Sequence, residues 1–226
     1  MNNARLISYS KTPTIGYPAL YVGEDIQELI AYTARVSNPS NQNNTETSEK
    51  LLRYLIKHQH WSPFEMVSAC LEITTTRDIA RQILRHRSFS FQEFSQRYAD
   101  PTALGDGFHV REARLQDHKN RQNSIEVDSE SDLIYAWDSK QEELIAKAKD
   151  TYNWAIKAGI AKEQARAVLP EGNTESRMYM NGTLRSWIHY IELRSGVETQ
   201  KEHREVAVAC ANAIEPIFPM IKEFLK

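Results

Sequence analysis

Alternating apolar and polar side chains predict a strand at residues 67–73. This segment reads Val-Ser-Ala-Cys-Leu-Glu-Ile, so that every second side chain from Val67 to Ile73 is apolar and can face one side of a sheet. Shorter apolar segments bounded by polar residues predict three further strands, at residues 5–9, 19–22 and 175–180.

Apolar residues spaced three and four apart predict helices along most of the remaining chain. Asp25 is suited to cap the first of them, because its carboxylate can accept a hydrogen bond from a backbone N–H of the first turn. Pro216 and Pro219 interrupt the last helix, since proline cannot donate the helical hydrogen bond. The predicted helices cover about residues 25–36, 48–58, a short segment after Arg77, 132–158, 162–168, 183–193 and 200–225.

These elements predict the α+β class, with helices packed around a small antiparallel sheet. No break in composition divides the chain, so we expect residues 1–226 to form a single domain. Residues 99–131 are polar, and we expect a mobile excursion from the core there. On the long helix that follows, Trp137, Tyr152 and Trp154 are expected to pack in the core or in an interface.

Charge is balanced over the whole chain, but arginine is locally concentrated. The formal net charge of −2 gives no general attraction to nucleic acid or to an anionic membrane. A local group of arginines on such a protein suits a small anion. Two other interpretations remain open, a solvated helix face and a nucleic-acid surface on which bases stack against phenylalanines. The residues concerned are Arg77, Arg81, Arg85, Arg87 and Arg97, with Phe89, Phe91 and Phe94.

The cysteines and histidines do not indicate a disulfide framework or a metal site. Cys70 and Cys210 stand among apolar or small neighbours, and we predict that both are buried and reduced, as in the cytoplasm. His58, His60 and His86 lack the spacing of a zinc site. No apolar segment approaches the roughly 18 residues of a membrane span, and the first residues lack the apolar core of a signal peptide.

Phosphate binding, if present, must depend on side chains. The chain has eight glycines and contains neither a Gly-x-Gly-x-x-Gly turn nor a P-loop. Arginine is the natural substitute, because its planar fork binds phosphate oxygens in pairs. The block from Arg85 to Arg97 reads Arg-His-Arg-Ser-Phe-Ser-Phe-Gln-Glu-Phe-Ser-Gln-Arg, which is Arg-His-Arg, seven residues, and then Ser95.

This block resembles the signature of the flavin-dependent thymidylate synthases. One further block precedes it, at residues 58–65, and two come after it, at residues 165–170 and 183–194. All of them stand in the family's order, so the resemblance covers about residues 25–215. The chain departs from the pattern at His189, where some members carry Asn, and at Glu198, where many carry His. No flavin contact is therefore assigned to residue 198.

The resemblance implies an enzyme that methylates dUMP at C5 of uracil to form dTMP. Methylenetetrahydrofolate would supply the methylene group, and FAD reduced by NADPH would supply the hydride. It also implies a homotetramer whose sites draw residues from several chains, and small-molecule substrates rather than nucleic acid. A member that binds nucleotide without turnover is the alternative, but it is disfavoured because Arg194, Arg97 and Ser95 are all present.

The resemblance further assigns roles to individual residues. Arg194 would be catalytic, and Ser95 a hydrogen-bonding ligand because no base adjoins it in sequence. His60 would lie near the folate or the flavin. The residues expected to bind dUMP are Gln82, Arg85, Glu93, Ser95, Gln96, Arg97, Arg166 and Arg194. Those expected to bind FAD are Ser62, Arg85, His86, Arg87, Gln92, Glu93, Thr183, Arg185 and His189.

Overall fold

A computed structural model of the chain describes residues 2–12, 25–105 and 107–226. The strands are β1 (Asn3–Tyr9), β2 (Ser68–Thr76), β3 (Ser90–Glu93), β4 (Arg114–Gln116), β5 (Ser124–Glu126) and β6 (Glu175–Thr183). The helices are α1 (Ile26–Ala34), α2 (Ser48–Lys57), α3 (Arg77–Ile83), α4 (Asp132–Lys157), α5 (Lys162–Ala165), α6 (Leu184–Arg194) and α7 (Lys201–Ile214). Short 3-10 helices lie at Pro39–Asn41, Ser62–Glu65, Pro101–Leu104, Arg166–Val168 and Pro219–Phe224.

Four strands form an antiparallel sheet in the order β1-β2-β6-β3. Leu71 on β2 pairs with Met180 on β6, and both side chains are fully buried. The alternation in the sequence therefore predicts the buried face of β2 correctly. On the opposite face, Glu72 accepts a hydrogen bond from the hydroxyl of Tyr179 at 2.8 Å and pairs with Arg5 at 3.0 Å.

Helices α6 and α7 cover the apolar face of the sheet and form one hydrophobic core with it. Trp187 on α6 is completely buried, and its indole N–H donates to the carbonyl of Ala69 on β2 at 3.0 Å. This bond ties the helix to the central strand and satisfies a buried donor, which would otherwise be costly. The α+β class is thus confirmed, with a single main core among the described residues.

Most predicted elements are present with small differences at their ends. Asp25 caps α1, accepting from the backbone N–H of Gln27 at 2.8 Å. Strand β6 continues to Thr183, three residues beyond its expected end, and Thr183 then caps α6 rather than beginning it. Helix α7 ends at Ile214, before the two prolines. The strand expected at residues 19–22 lies outside the described residues.

The polar segment 99–131 contains structure that the sequence did not predict. Strands β4 and β5 pair as a separate antiparallel hairpin. Arg111, just before the hairpin, bonds the backbone carbonyl of Gly172 at 2.9 Å and the carboxylate of Asp78. Arg114 on β4 binds the carboxylate of Glu202 on α7. The segment is therefore attached to the body of the molecule by arginines.

The buried face of α4 differs from the expected one. Tyr152 is buried and belongs to a second, smaller apolar cluster with Phe108 and Ile145. Trp137 and Trp154 are 43% and 64% exposed, so they are not part of the core of this chain. An interface role for these two residues is not tested. Among the described residues, no helix is long and apolar enough to cross a membrane.

The two cysteines differ in burial, which corrects the expectation that both belong to the core. Cys210 on α7 is completely buried, whereas Cys70 on β2 is only half-buried, because its side chain points to the other face of the sheet. Burial raises the pKa of both thiols above its ordinary value. Neither cysteine is therefore an activated nucleophile.

Candidate active site

The Arg-His-Arg segment lies in the turn between α3 and β3. Helix α3 ends at Ile83, and after it the side chains alternate, with Arg85 and Arg87 exposed and His86 half-buried between them. The backbone N–H of His86 donates to the carbonyl of Ile83 at 3.0 Å, which closes the turn. Two guanidinium groups are thus presented to solvent and the imidazole faces inward.

Close packing against β6 holds this turn in place. Phe89 is buried and meets the ring of Trp187 edge-on, with the ring centroids 4.8 Å apart. Gly182 on β6 lies directly beneath it, and a Cβ at that position would come within 2.4 Å of the Phe89 ring. Only glycine permits this approach. The position of the motif therefore depends on a residue far from it in sequence.

His86 accepts a hydrogen bond from Arg194, at the end of α6. Nε of Arg194 lies 2.9 Å from Nε2 of His86. A guanidinium can only donate, so the imidazole is neutral with its proton on Nδ1. Burial, followed by the charges of Arg194 and Arg85, lowers the pKa of His86 to about 4. The terminal nitrogens of Arg194 make no hydrogen bond within the part of the chain that is described, and they remain available to a ligand.

Gln82, another expected nucleotide ligand, lies close to this pair. Its amide nitrogen donates to Oε1 of Gln200 at 2.8 Å, and its Oε1 is 3.2 Å from Nδ1 of His203. The rings of His203 and His86 are 6.3 Å apart, edge to face. Gln82, His86 and Arg194 therefore form one group, which we call the Arg194 cluster.

A polar cavity of about 350 Å³ contains a second group of expected residues. Gln96 is 3% exposed, and its buried amide nitrogen has no hydrogen-bond partner among the described residues. A buried donor of this kind, facing a cavity, can bind an acceptor atom of a ligand. The cavity, called here the arginine pocket, is lined by Arg77, Arg81, Gln96, Glu163, Arg166, Ala167, Leu169 and Glu171.

The charges of the arginine pocket are only partly balanced. Arg77 is 6% exposed, and its nearest carboxylate oxygen, on Glu93, is 3.6 Å away. Arg81 approaches the same carboxylate at 3.3 Å. Burial is the main cause that lowers the pKa of Arg77; the charge of Glu93 opposes this shift, and the neighbouring Arg81 and Arg166 add to it. Mutual repulsion of this kind favours binding of an anion.

Expected flavin ligands form a third group at the start of α6. The hydroxyl of Thr183 accepts from the backbone N–H of Ser186 at 3.3 Å and so caps the helix. Arg185 pairs with Glu65, which lies in the same 3-10 turn as Ser62. Their hydroxyl and guanidinium donors suit a diphosphate, so this group, the Thr183 cluster, fits a dinucleotide such as FAD chemically.

The remaining expected residues lie on exposed surface or in the loop after β3. His189 and His60 are exposed, and His189 meets Trp61 edge-on at 4.7 Å. Gln92 on β3 is also exposed. The hydroxyl of Ser95 accepts from the backbone N–H of Arg97 at 3.4 Å. No base lies beside Ser95 among the described residues, in agreement with a ligand rather than a nucleophile.

The chain thus places part of the expected residues in three groups rather than one, and the others lie on exposed surface or in the loop after β3. Within the described ranges, no hydrogen bond or ion pair joins the Arg194 cluster, the arginine pocket and the Thr183 cluster to one another. Sequence reasoning placed Arg77 and Arg81 in a group of arginines suited to a small anion but not among the expected ligands, although their i,i+4 spacing could have indicated a shared face. It also missed His203, which is fully buried although it stands in a polar run at the start of α7.

No group of metal-ligating side chains lies in the part of the chain that the structure describes.

Over residues 20–220 the chain matches the family described as thymidylate synthase complementing protein, and it belongs to this family. Relatives of the chain are named more specifically, as flavin-dependent thymidylate synthases. The chain is 48% identical over 223 residues to a protein of Paramecium bursaria Chlorella virus 1 named as a probable flavin-dependent thymidylate synthase, with 99% of this chain and 98% of the relative covered.

A second relative, the flavin-dependent thymidylate synthase of Synechocystis sp., is 50% identical over 198 residues, with 88% of each chain covered. The resemblance inferred from the Arg85–Ser95 motif is therefore confirmed. Among solved structures, the UMP/dUMP methylase PolB of Streptomyces cacaoi, bound with 5-Br UMP, has the same fold. The TM-score is 0.79 at 24% identity, covering 99% of this chain and 93% of that one.

Proposed function

We propose that this protein is a flavin-dependent thymidylate synthase that converts dUMP to dTMP. In this proposal methylenetetrahydrofolate is the carbon donor and NADPH the source of reducing equivalents, with FAD as the bound cofactor. The relatives are named for this activity, and the observation on which the assignment to this chain rests is the Arg194–His86 pair with two free terminal guanidinium nitrogens. Bound flavin would supply the hydride.

The arginine pocket is suited to the phosphate of dUMP. Arg166 and Gln96 line it, and Arg97 is held at its edge by Glu163, with Nε 3.8 Å from the carboxylate. The buried, unpartnered amide of Gln96 needs an acceptor, and a phosphate oxygen provides one. A phosphate monoester carries a charge of about −1.5 to −2 at neutral pH, which would offset the repulsion among the surrounding arginines.

Arg194 is suited to activate the pyrimidine ring. Carbon C5 of uracil is a weak nucleophile, and negative charge on the ring increases its reactivity. A guanidinium against the polar edge of the ring would stabilise that charge and favour loss of the N3 proton, typically by about 1–3 pKa units. His86 binds Nε of Arg194 and thereby orients the two terminal nitrogens. Activation by thiolate addition is disfavoured, because neither Cys70 nor Cys210 belongs to the three groups of site residues and burial raises the pKa of both thiols.

The flavin would be held by the Thr183 cluster together with residues of the motif turn. Thr183, Arg185 and Ser62 offer donors to the diphosphate, and the exposed Arg87 can add a further charge. His86, Arg85, Glu93, Gln92 and His189 complete the proposed set. His60, exposed after α2, is the proposed neighbour of the folate or flavin ring.

A homotetramer with shared sites would unite groups that no hydrogen bond or ion pair joins within the described part of one chain. We therefore propose that the Arg194 cluster of one chain meets the arginine pocket or the Thr183 cluster of another. The exposed Trp137 and Trp154 on α4 are candidates for burial in that assembly. Light scattering during size-exclusion chromatography measures the number of chains, and a monomer that is fully active would contradict shared sites.

The two free cysteines favour a reducing compartment, and we propose the cytoplasm.

Spectroscopy combined with product analysis tests the proposed function. The purified protein is expected to show the visible absorption band of oxidised flavin, and the band is expected to change when dUMP is added. With methylenetetrahydrofolate and NADPH, dUMP should be converted to dTMP, as measured by chromatography. A colourless protein that also fails to bind added FAD would overturn the proposal. Tight binding to oligonucleotides in place of dUMP would favour the nucleic-acid alternative.

A further inference from the structure

A continuous row of hydrogen bonds leads from the core to a carboxylate on α7. It begins at the hydroxyl of Tyr190, 3.1 Å from Nε2 of His203. Nδ1 of His203 then contacts Oε1 of Gln82 at 3.2 Å, and the Gln82 amide donates to Gln200 at 2.8 Å. The Gln200 amide donates to Oε2 of Glu202 at 2.9 Å. Of these residues, only Gln82 is an expected nucleotide ligand.

The carboxylate at the end of the row determines which group donates and which accepts in each of these hydrogen bonds. Glu202 is 8% exposed, and Arg114 and Arg111 bind its two oxygens, Arg111 at 3.2 Å. An ionised carboxylate can only accept, so Gln200 must turn its NH₂ group toward Glu202. Its carbonyl oxygen therefore faces Gln82, and Gln82 must offer an N–H in return. A reversed amide at either glutamine would place two acceptors in contact.

Inside the core, His203 continues the same order of donors and acceptors. The carbonyl oxygen of Gln82 needs a donor, so the proton of the imidazole lies on Nδ1 and Nε2 accepts from Tyr190. His203 is completely buried, and burial, followed by the charges of Arg194 and His86, lowers its pKa to about 3. Because the ring stays neutral, it has a single N–H, and that proton is committed to Gln82.

We propose that Glu202, Gln200 and His203 are positioning residues that fix the orientation of the Gln82 amide for nucleotide binding. The proposal rests on the proposed function, in which Gln82 contacts dUMP. The row uses one N–H and one lone pair of Gln82 and leaves one of each for the substrate. Since the orientation is set before binding, the nucleotide does not have to order the amide itself.

Gln200 offers the cleanest test, because it is exposed and its replacement does not disturb the core. In the flavin-loaded protein, Gln200→Leu is expected to raise the dissociation constant of dUMP by about threefold to tenfold, as for loss of one productive hydrogen bond. The midpoint of thermal unfolding should fall slightly, because the buried Glu202 loses one hydrogen bond, whereas the affinity for FAD should not change. A cavity of about 540 Å³ is lined by both Gln200 and Gln122. Gln122→Leu is the matched control, since Gln122 is also an exposed glutamine but makes no side-chain hydrogen bond to the row among the described residues.

A double-mutant cycle shows whether the effect passes through Gln82. If the proposal is correct, Gln200→Leu weakens dUMP binding in the wild-type background and has no further effect in Gln82→Leu. Additive effects of the two changes, or unchanged binding by Gln200→Leu alone, would overturn it. Wild-type holoenzyme that fails to bind dUMP would overturn the proposed function as well, so the two failures are distinguishable.

Variants of His203 test the inner half of the row. His203→Asn retains an amide N–H that can reach Gln82, whereas His203→Leu has none. The expected result is dUMP binding close to wild type for His203→Asn and about tenfold weaker binding for His203→Leu. Both variants lose a buried ring and are expected to be less stable. Equal binding by two folded variants would contradict a role for the Nδ1 proton.

Discussion

Replacing Glu202 by Gln should measure the stability that its two arginines confer. The two partners, Arg114 and Arg111, lie on the polar excursion, and the carboxylate is largely withdrawn from water. Burial alone would raise the pKa of Glu202, but the hydrogen bonds from Arg114 and Gln200 and the charge of Arg111 outweigh it and lower the pKa from 4.5 to about 2. A difference of about 2.5 between the two values corresponds to about 3 kcal/mol at pH 7. We expect Glu202→Gln to lower the free energy of unfolding by that order.

The same reasoning predicts how the difference depends on pH. Because the pKa of Glu202 is lower in the folded than in the unfolded protein, its stabilisation is complete well above pH 4.5 and is lost as the pH falls toward 2. Between pH 7 and pH 3 the wild type should lose about 2 kcal/mol from this group alone. The glutamine variant cannot lose it, so the difference between the two proteins should narrow toward pH 3.

Urea-induced unfolding, followed by circular dichroism at one fixed protein concentration, measures both effects. The matched control is Glu49→Gln, because Glu49 pairs with Arg53 through an ion pair whose side chains are 66% and 48% exposed. An exposed pair contributes at most about 1 kcal/mol, so this control should stay close to wild type. A difference between wild type and Glu202→Gln that stays constant from pH 7 to pH 3 would refute the argument from ionisation.

Other predictions concern catalysis, substrate binding and the core. Arg194→Ala should abolish dTMP formation while NADPH still reduces the flavin, which stopped-flow absorbance can follow; normal synthesis would exclude the assigned role. Arg97→Ala should raise the dissociation constant of dUMP by about tenfold or more, through loss of a charge-assisted bond to phosphate, and calorimetry yielding an unchanged value would count against that contact. Trp187→Phe should cost about 2 kcal/mol, because it removes the buried hydrogen bond from the indole to the carbonyl of Ala69 and part of a fully buried ring, and urea unfolding that differs by less than about 0.5 kcal/mol would show that these contacts contribute little.

The fold could be predicted where one face of a helix or strand is buried and the other is exposed to solvent. Strand β2 has this pattern, and its alternation identifies both its position and its inner face. The hairpin β4–β5 has no such pattern, because all three residues of β5 are exposed, so its sequence resembles that of a loop. In α4 the apolar residues surround the helix. Tyr152 faces the second cluster while Trp154, two positions later, faces solvent, and only the tertiary contacts decide between them.

The site could be predicted as a set of residues but not as an arrangement. The motif identified His86, and a separate block identified Arg194, yet nothing in the sequence indicates that their side chains touch across 108 positions. His203 shows the opposite limit. It stands in a polar run at the start of α7, which resembles an exposed turn, and it is buried because Tyr190 and Gln82 satisfy both its ring nitrogens. Burial of a polar group depends on partners that local sequence does not specify.

The central position of the Arg-His-Arg motif has a specific chemical requirement. Its side chain faces inward, where Nε of Arg194 needs an acceptor, and neither lysine nor arginine can accept a hydrogen bond. A carboxylate could accept, but it would neutralise the guanidinium that is proposed to act on the pyrimidine. Neutral imidazole satisfies both conditions, and its pKa of about 4 keeps it neutral at physiological pH. The flanking Arg85 and Arg87 face outward because the chain alternates, so three adjacent residues can hold Arg194 and still present two charges to anionic ligands.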